Sequence, residues 1–298
     1  MLKSFFQAAA LVPPRMKSSF YLRVVNYLLR TTGVKLNTVR TNLGMGNNIE
    51  VAFPGSVPGL FLFGNPHHYQ GEVGALTLCR GLSAHADTFL DIGANHGYFT
   101  FFVKSLPANR DLPVHLYEPT PALFEEIQGN VKRSKLANVH CHREAVSDEM
   151  GKASFYLSSE GDLGSSLIEF EGTRTLDTVQ VDVLTFDQLA TQYGVQRAVV
   201  KVDVENAEFK FLRGAAKEHQ RIAYLVMEVL GPSADAGFVV ACKAQLGMEA
   251  YYINKFQLER SIAGEFGYVH GEYNWLFCRL TPDQLRPLVE PIGFSVKG

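Results

Sequence analysis

The sequence predicts an α/β fold with a mostly parallel, seven-stranded sheet, helices on both faces of that sheet, and an N-terminal cap of helices and loops. Two observations predict it. From residue 87 to about residue 280, short apolar runs alternate with segments of helical periodicity, which is typical of parallel strands joined by right-handed crossovers. The first apolar run, Thr88–Asp91, leads into a glycine-containing turn and then into apolar residues at helical spacing.

Seven apolar runs supply the predicted core strands, and the last two are candidates for an antiparallel pair. They are Thr88–Asp91, Val114–Tyr117, Val139–His142, Ala198–Val204, Ile222–Val229, Met248–Ile253 and Trp275–Leu280. Two more strand candidates, Gly151–Leu157 and Thr178–Leu184, flank a polar loop that contains glycines and serines. We therefore divide the chain into an N-terminal cap region (1–86), an α/β core (87–280) and a C-terminal tail (281–298).

Composition indicates a globular protein without an affinity for nucleic acid. The 298 residues are 46% hydrophobic and 19% charged, and the net charge is −2, so nothing drives the chain toward a polyanion. The cysteines are scattered, with no C-x-x-C pair that would suggest zinc or a disulfide framework. We also find no run of 18 apolar residues and no convincing signal peptide. These features predict a cytoplasmic protein with reduced thiols.

The first 49 residues carry seven lysines and arginines and no acid. Within them, Tyr21, Val24, Val25 and Leu28 recur at helical spacing. A basic amphipathic helix can lie on an anionic membrane or on an acidic partner. It can also pack on its own domain and leave its basic face in water. We favour packing on the domain, and we keep a weak membrane-surface contact as the alternative.

The turn after the first strand has the pattern G-x-N-x-G, formed by Gly93, Asn95 and Gly97. Glycines let the backbone approach a ligand closely, and the helix that follows points free N–H groups at that ligand. The turn lacks the G-x-G-x-x-G of dinucleotide enzymes, which disfavours a NAD-dependent reaction. Asp91, just before it, favours a ligand with a cationic end. S-adenosylmethionine has an ammonium group, a sulfonium and no phosphate. The other interpretation is an ordinary turn that needs glycine for its geometry.

Acidic residues end several of the predicted strands. Glu118 closes the second strand, where an acid can accept hydrogen bonds from both hydroxyls of a ribose; the alternative is a solvated loop acid. In the fourth strand, Lys201 and Asp203 share one face and should be paired, because unpaired charges in an apolar strand are costly. Glu205 and Glu208 are placed on one face of the next helix, and Glu228 closes the fifth strand.

Five segments follow one another along the core. They are D-I-G-A-N-H-G-Y-F-T from Asp91, Y-E-P-T-P from Tyr117, A-V-S-D-E-M-G-K-A at 145–153, V-D-V-L-T-F-D at 181–187 and K-V-D-V-E-N-A-E-F-K-F-L-R-G from Lys201. In this order they resemble the FkbM family of methyltransferases. The resemblance covers roughly residues 60–280 and does not extend to residues 1–45. The family usually has glycine where this chain has Asn206; asparagine tolerates left-handed backbone, although its side chain could narrow the acceptor pocket.

The resemblance implies a Rossmann-like class I methyltransferase fold and S-adenosylmethionine as cofactor. It implies methyl transfer to a hydroxyl of a small molecule, a sugar or polyketide, or a lipid-linked glycan. Positioning supplies much of the rate in such a transfer, and a base helps a neutral hydroxyl to react. Asp203 is our first candidate base and Glu205 the second. The candidate cofactor-binding residues are Glu72, Asp91, Gly93, Ala94, Asn95, Gly97, Glu118 and Ala145.

A divalent metal could instead acidify the hydroxyl, with Asp203, Glu205 and Glu228 as ligands. Helix-cap and salt-bridge roles explain most of these carboxylates without one, so we predict no metal. His96 is predicted to be a solvent-facing turn residue rather than a catalytic one. A cap loop with His67, His68 and Tyr69 is placed at the acceptor pocket. The second function class is a non-catalytic module that binds a nucleoside or a partner. The Asp91, Glu118 and Asp203 set favours the enzyme.

Overall fold

The computed structural model describes residues 2–12, 24–25, 27–28, 31–34, 37–43, 48–52, 72–158, 164–169, 175–229, 236–261 and 274–298. The predicted acceptor loop of His67, His68 and Tyr69 lies outside these residues. The strands are β1 (Thr38–Asn42), β2 (Asn48–Ala52), β3 (Thr88–Ile92), β4 (Val114–Tyr117), β5 (Val139–His142), β6 (Glu144–Ser147), β7 (Gly151–Ser158), β8 (Thr175–Thr185), β9 (Ala198–Val202), β10 (Ile222–Glu228), β11 (Glu249–Asn254), β12 (Gln257–Arg260), β13 (Asn274–Cys278) and β14 (Ser295–Lys297). The helices are α1 (Leu2–Leu11), α2 (Val73–Leu82), α3 (Tyr98–Ser105), α4 (Pro121–Arg133), α5 (Phe186–Gln192), α6 (Glu208–Gly214), α7 (Ala236–Leu246) and α8 (Pro282–Val289).

The central sheet has the strand order β14-β12-β11-β13-β10-β9-β3-β4-β5. Strands β10, β9, β3, β4 and β5 are parallel neighbours. Strand β13 runs antiparallel to both β10 and β11, which confirms the antiparallel pair at the end of the series. From β3, the chain adds β4 and β5 on one side of the sheet, and it then adds β9 and β10 on the other side of β3. The strand order therefore reverses between β3 and β9. Open α/β sheets bind their ligands at such a switch point, outside the carboxyl ends of the strands.

The prediction of seven strands was too low, because the central sheet has nine within the described ranges alone. Strand β12 pairs antiparallel with β11, and β14 pairs in parallel with β12. Each of these short strands has one apolar residue, Leu258 or Val296, between polar ones, so neither gives an apolar run in the sequence. Residues 281–298, which were set apart as a tail, contain α8 and β14. Helix α8 buries Leu285 and Val289.

Alternate residues of the central strands enter two clusters, one on each face of the sheet. In β9, Val200 and Val202 pack with residues of α5, α6 and α7. Val199 points the other way and packs with residues of α2, α3 and α8. The predicted helices on both faces are thus confirmed. Helix α2 belongs to residues 1–86 in sequence, but it packs directly on the sheet: a β-carbon on Gly74 would come within 2.2 Å of the Lys255 carbonyl oxygen.

A smaller sheet with the order β6-β8-β7 contains the two predicted strands that flank the polar loop. Strand β8 is parallel to β6 and antiparallel to β7. Part of the loop, residues 164–169, is held against β7 by two backbone hydrogen bonds between Tyr156 and Ser166, at 2.8 and 3.1 Å. This attachment fixes one described part of the loop beside the small sheet.

The N-terminal part has its own small apolar cluster. Phe6, Ala9 and Ala10 of α1 pack with Val25 and with Val39 of the β1–β2 hairpin. The burial of Val25 agrees with a basic helix that packs on its own domain, and the membrane-surface contact stays a prediction. In the part of the chain that the structure describes, no helix is long and apolar enough to cross a bilayer.

Candidate active site

A cavity of about 310 Å³ lies at the carboxyl ends of β3, β4, β9 and β10. Of the residues that the sequence predicted for the cofactor or for catalysis, all but two line this cavity. The lining ones are Glu72, Gly93, Ala94, Asn95, Glu118, Ala145, Asp203 and Glu205. The exceptions are Asp91 and Gly97. The cavity therefore brings together residues that are up to 133 positions apart, from Glu72 to Glu205, at the switch point of the sheet.

The turn between β3 and α3 has three residues in left-handed backbone conformation. Gly93, Asn95 and Gly97 have φ values of 75°, 50° and 78°. The N–H groups of Gly93 and Ala94 donate to the carbonyl oxygen of Tyr117 at 3.1 and 3.0 Å, so the turn is tied to the end of β4. Gly97 is the N-cap of α3 and shapes the turn without lining the cavity.

Asp91, near the end of β3, supports this turn through hydrogen bonds to the first turn of α3. Its Oδ2 accepts hydrogen bonds from the N–H and the hydroxyl of Thr100, at 3.0 and 2.7 Å, and the side chain is buried. Burial raises the pKa of Asp91 to about 6, and the Thr100 bonds and Lys201 oppose that shift. The position differs from the expectation that Asp91 meets the cationic end of a ligand. Asp91 instead fixes the start of α3 against β3.

Glu118 lies at the opposite side of the turn and is only 5% exposed. Its Oε2 accepts from the Asn95 N–H at 2.8 Å, and its Oε1 accepts from the Thr120 N–H at 2.9 Å. Burial raises the pKa of Glu118 to about 7, against the lowering effect of these hydrogen bonds. Each carboxylate oxygen has a further lone pair, so Glu118 can still accept hydrogen bonds from hydroxyls of a ligand in the cavity.

His96 does not face solvent as predicted, since it is 5% exposed. Its Nδ1 lies 3.1 Å from Oε1 of Glu126 on α4, and its ring packs beside that of Tyr98. Helix α4 covers the turn, and that tertiary contact has no signal in the local sequence. His96 does not line the cavity, which agrees with a structural rather than a catalytic role.

Lys201 carries the central charge beneath the cavity. It is 1% exposed, and its Nζ lies 3.2 Å from Oδ2 of Asp203, which confirms the predicted pairing. The ammonium also lies 4.7 Å from the ring centroid of Phe99. Burial lowers the pKa of Lys201, but the carboxylates of Asp203, Glu228 and Glu72 outweigh it, so the pKa lies above its ordinary value. Lys201 is therefore a permanent cation.

Glu72, Asp203 and Glu228 place carboxylate oxygens within 4.8 Å of one another. We call these three residues and Lys201 the Lys201 cluster. Burial and then Asp203 raise the pKa of Glu72, and Asp203 and then burial raise the pKa of Glu228 to about 9. The spacing of the carboxylates alone would suit a divalent cation. The Lys201 ammonium already supplies positive charge there, so we assign no metal ion to the cluster.

The residues after Asp203 form a turn instead of the predicted helix. Glu205 and Asn206 have φ values of 50° and 72°, so Asn206 adopts the left-handed backbone that the sequence suggested it could tolerate. Helix α6 begins only at Glu208, whose Oε1 accepts from the Asn206 N–H at 3.0 Å. The predicted common helix face of Glu205 and Glu208 was therefore wrong, because left-handed backbone cannot continue a helix.

Glu205 closes the cavity together with the polar loop. The Ser166 hydroxyl donates to the Glu205 carbonyl oxygen at 2.6 Å, and the Gly164 N–H lies 3.3 Å from Glu205 Oε1. Burial and then Asp203 raise the pKa of Glu205 to about 7. The side chain is thus held by the loop and is a weaker candidate base than Asp203, which faces the Lys201 ammonium.

Sequence reasoning missed the apolar and aromatic part of the lining. These residues are Tyr98, Phe99, Tyr117, Leu123, Phe155 and Leu167. Tyr98 and Phe99 were recognised only as apolar positions of a helix, because periodicity does not reveal which residues of a face meet a cavity. The glycine and serine content of the loop around Gly164 was the available signal for a segment that approaches the ligand.

The chain matches the model of the family described as "Methyltransferase FkbM domain" over residues 91–261. This segment runs from Asp91, one residue before the end of β3, to the residue after β12. It includes the carboxyl end of every strand that contributes to the cavity. The match covers more than half of the chain.

Three relatives extend this likeness. The chain is 28% identical over 161 residues to a hexuronic acid methyltransferase, AglP, of Haloferax volcanii, which covers 54% of this chain and 63% of the relative. It is 30% identical over 172 residues to Methyltransferase 1 of Beauveria bassiana, with 50% and 67% covered. It is 26% identical over 184 residues to the 31-O-demethyl-FK506 methyltransferase FkbM of Streptomyces tacrolimicus, with 52% and 70% covered.

The matched segment and the sheet agree on the class of fold. The parallel strands, the antiparallel β13 and the helices on both faces form the Rossmann-like class I methyltransferase fold that the sequence predicted, with two strands added. The chain spans 63% of the length of AglP, so the likeness identifies the domain and not every part of the relative. The chain belongs to the FkbM family of S-adenosylmethionine-dependent methyltransferases.

Proposed function

We propose that the chain transfers a methyl group from S-adenosylmethionine to a hydroxyl of a small molecule, a sugar or a lipid-linked glycan. One observation carries this proposal. The cavity is lined by Glu118 from the end of β4, by Asp203 from the end of β9 and by the glycine turn after β3, and Asp203 is paired with the buried Lys201. The two carboxylates come from different strand ends and have different partners: backbone N–H groups for Glu118 and an ammonium for Asp203. They can therefore have different roles, one in cofactor binding and one in proton removal.

The residues around the turn fit the cofactor. A β-carbon at position 93 would collide with the backbone of Asp203, so the glycine keeps this part of the turn compact. We assign Glu118 to the ribose hydroxyls, because its oxygens retain accepting capacity. The acidic lining suits a ligand with cationic groups. When bound, S-adenosylmethionine supplies a methyl group activated by a sulfonium.

Asp203 is the residue that we assign to proton removal. A carboxylate in hydrogen-bond reach of the acceptor hydroxyl can take its proton as the new bond forms. The Lys201 ammonium at 3.2 Å holds the Asp203 carboxylate in place, which preorganises the base. The partly apolar cavity keeps the reacting groups in position, and positioning is a large part of the rate in such a transfer.

The names of two relatives bear on the acceptor. One is a 31-O-demethyl-FK506 methyltransferase, a name that gives methylation at oxygen, and the other is a hexuronic acid methyltransferase, a name that gives an acidic sugar. Methylation at oxygen and a sugar among the candidate acceptors are all that we extend to the chain.

Calorimetry with S-adenosylmethionine and S-adenosylhomocysteine tests the proposal. We expect the full chain to bind both nucleosides and not to bind NAD. Incubation with methyl-labelled S-adenosylmethionine and a panel of hexuronic acid glycosides and polyketide alcohols should then label at least one acceptor at oxygen. A chain that binds neither nucleoside would support the alternative of a non-catalytic module that kept the fold.

A further inference from the structure

The charges of the Lys201 cluster do not balance. The cluster contains three carboxylates and one ammonium, and Lys201 is fully buried. Carboxylates that lie this close together cannot all stay ionised at neutral pH unless cations compensate them. In the described part of the chain, the groups that act on Glu228 are Asp203, Lys201 and Glu72, and Lys201 is the single cation among them. At least one carboxylate should therefore hold a proton.

Geometry indicates which carboxylate that is. Asp203 has its Oδ2 at 3.2 Å from the Lys201 ammonium, so this carboxylate is the one best stabilised in its charged form. Glu228 closes β10, the strand beside β9, and the negative charge of Asp203 is the largest cause of its raised pKa. Glu72, which is the residue before α2, and Asp91 in β3 add negative charge around the same ammonium. A proton on Glu228 relieves its repulsion with the ionised Asp203.

We propose that Glu228 is protonated at neutral pH and donates a hydrogen bond to Asp203, and that it thereby positions Asp203 as the base. This inference rests on the proposed function, since it gives Glu228 a role in that reaction. Glu228 is a positioning residue, because it acts on the acceptor only through Asp203. The hydrogen bond and the Lys201 ammonium together fix the carboxylate while leaving accepting capacity for the acceptor hydroxyl.

The step balances in atoms and charge. The acceptor O–H bond breaks and its proton goes to Asp203; the oxygen forms a bond to the methyl carbon, while the carbon–sulfur bond breaks and its electron pair stays on sulfur. The cluster with its proton has one net negative charge, and it becomes neutral when Asp203 takes a second proton. The cofactor loses its sulfonium charge in the same step. The net charge inside the cavity is therefore unchanged.

Thermal unfolding of the unliganded full chain tests the protonation state. A carboxyl that is protonated in the folded state and ionised in the unfolded state makes stability fall as pH rises between its unfolded and folded pKa values. Glu228→Gln keeps a neutral hydrogen-bond donor and removes this titration. We expect the Tm of Glu228→Gln minus that of the wild type to increase by roughly 3 °C per pH unit between pH 6 and pH 8.

Glu149→Gln, in the exposed turn between β6 and β7, is the matched control and should follow the wild type. A difference between Glu228→Gln and the wild type that does not change with pH would overturn the proposal. Magnesium should leave the wild-type Tm unchanged. A magnesium-dependent rise in Tm that Glu228→Gln abolishes would also overturn it, because it would show an ionised Glu228 beside a bound cation.

A second measurement uses the wild-type protein and does not depend on the folding of Glu228→Gln. Carboxyl ¹³C spectra of wild-type protein with labelled glutamate should contain a Glu228 signal with the shift of a neutral acid at pH 7. The variant Glu228→Asp keeps the charge type and removes the glutamate signal, so it assigns the resonance. A Glu228 signal that is fully ionised at pH 7 would contradict the proposal.

Calorimetry with S-adenosylmethionine and S-adenosylhomocysteine separates this inference from the proposed function. Binding of neither ligand would count against the proposed function and leave the pH–Tm result to decide the role of Glu228. Binding of both ligands, together with a Glu228 carboxyl signal that is ionised at pH 7, would overturn the inference and leave the proposed function standing.

Discussion

Gly93 lies so close to Asp203 that a β-carbon at position 93 would come within 1.7 Å of the Asp203 carbonyl oxygen. The Asp203 N–H also donates to the Ile92 carbonyl oxygen at 3.0 Å. These contacts join the turn after β3 to the segment after β9. Backbone contacts therefore hold the cofactor turn against the proposed base. This close approach is possible only because residue 93 is a glycine and has no β-carbon.

We expect Gly93→Ala to lower both stability and cofactor affinity. The residue has φ 75°, which costs a non-glycine residue about 1–2 kcal/mol, and the clash with backbone adds about 1–3 kcal/mol. Gly247→Ala is the control, since Gly247 also has positive φ but no atom within 4 Å of its β-carbon position. Denaturant unfolding should show the larger loss for Gly93→Ala. Equal losses in the two variants would show that the contact with Asp203 is not important.

Glu118→Ala should weaken S-adenosylmethionine binding by roughly tenfold or more, because hydrogen bonds to a charged group contribute about 1.5–3 kcal/mol each. Part of this effect is indirect, since Glu118 also holds the Asn95 and Thr120 N–H groups. Glu125→Ala, an exposed position on α4, should bind as the wild type does. The measurement is the dissociation constant by calorimetry. A constant unchanged by Glu118→Ala would remove Glu118 from the ribose site.

Strands β3, β9 and β10 were predictable because they are buried on both faces over most of their length and read as largely apolar runs. Strands β12 and β14 were not, since Gln257–Arg260 and Ser295–Lys297 each contain one apolar residue. Strand-end residues such as Glu118, Asp203 and Glu228 could be placed at one edge by topology alone. Glu72 reached the candidate list only through the resemblance, because its approach to Asp203 depends on how α2 packs on the sheet.

The same limit applies to residues that act through tertiary contacts. Lys201 was predicted to pair with Asp203 from their spacing, and the pair is present. Its proximity to Glu72 and Glu228 could not be derived from spacing, since three separate segments meet there. His96 gave the opposite error: its position in a polar turn suggested exposure, whereas α4 buries it.

A group of packed aromatic rings from β4, β5 and the residue after α5 should make the protein sensitive to acid. His115 is 6% exposed, its Nδ1 lies 3.1 Å from Nε2 of His142, and its ring centroid is 4.1 Å from that of Tyr193. Burial and then neighbouring histidines lower the pKa of His115 and of His142 to about 4. Because the unfolded chain binds protons that the folded chain does not, this contribution to stability is lost as pH falls from about 6.5 to 4.

His115→Phe keeps an aromatic ring and removes one of these titrations. We expect its Tm relative to the wild type to improve as the pH falls from 7 to 5, whatever its value at pH 7. His85→Phe, at an exposed histidine after α2, should show no such trend. Parallel Tm curves for His115→Phe and the wild type across this range would mean that the pKa of His115 is the same in the folded and unfolded states, and would contradict the prediction.

Asp203→Asn separates the roles of base and cofactor contact, because it keeps the shape of the side chain and removes its charge. We expect turnover at saturating cofactor to fall by roughly 10²–10⁴, with a modest change in cofactor affinity. The fold should survive, since Glu228 and Glu72 remain near the Lys201 ammonium, and Glu228 can ionise once the negative charge beside it is gone. The measurement is methyl transfer to an acceptor found in the labelled panel, alongside calorimetry. Asp182→Asn is the control; it breaks an exposed pair with Lys152, and such pairs contribute little. Turnover close to the wild-type value in Asp203→Asn would transfer the role of base to Glu205, or leave positioning alone to account for the rate.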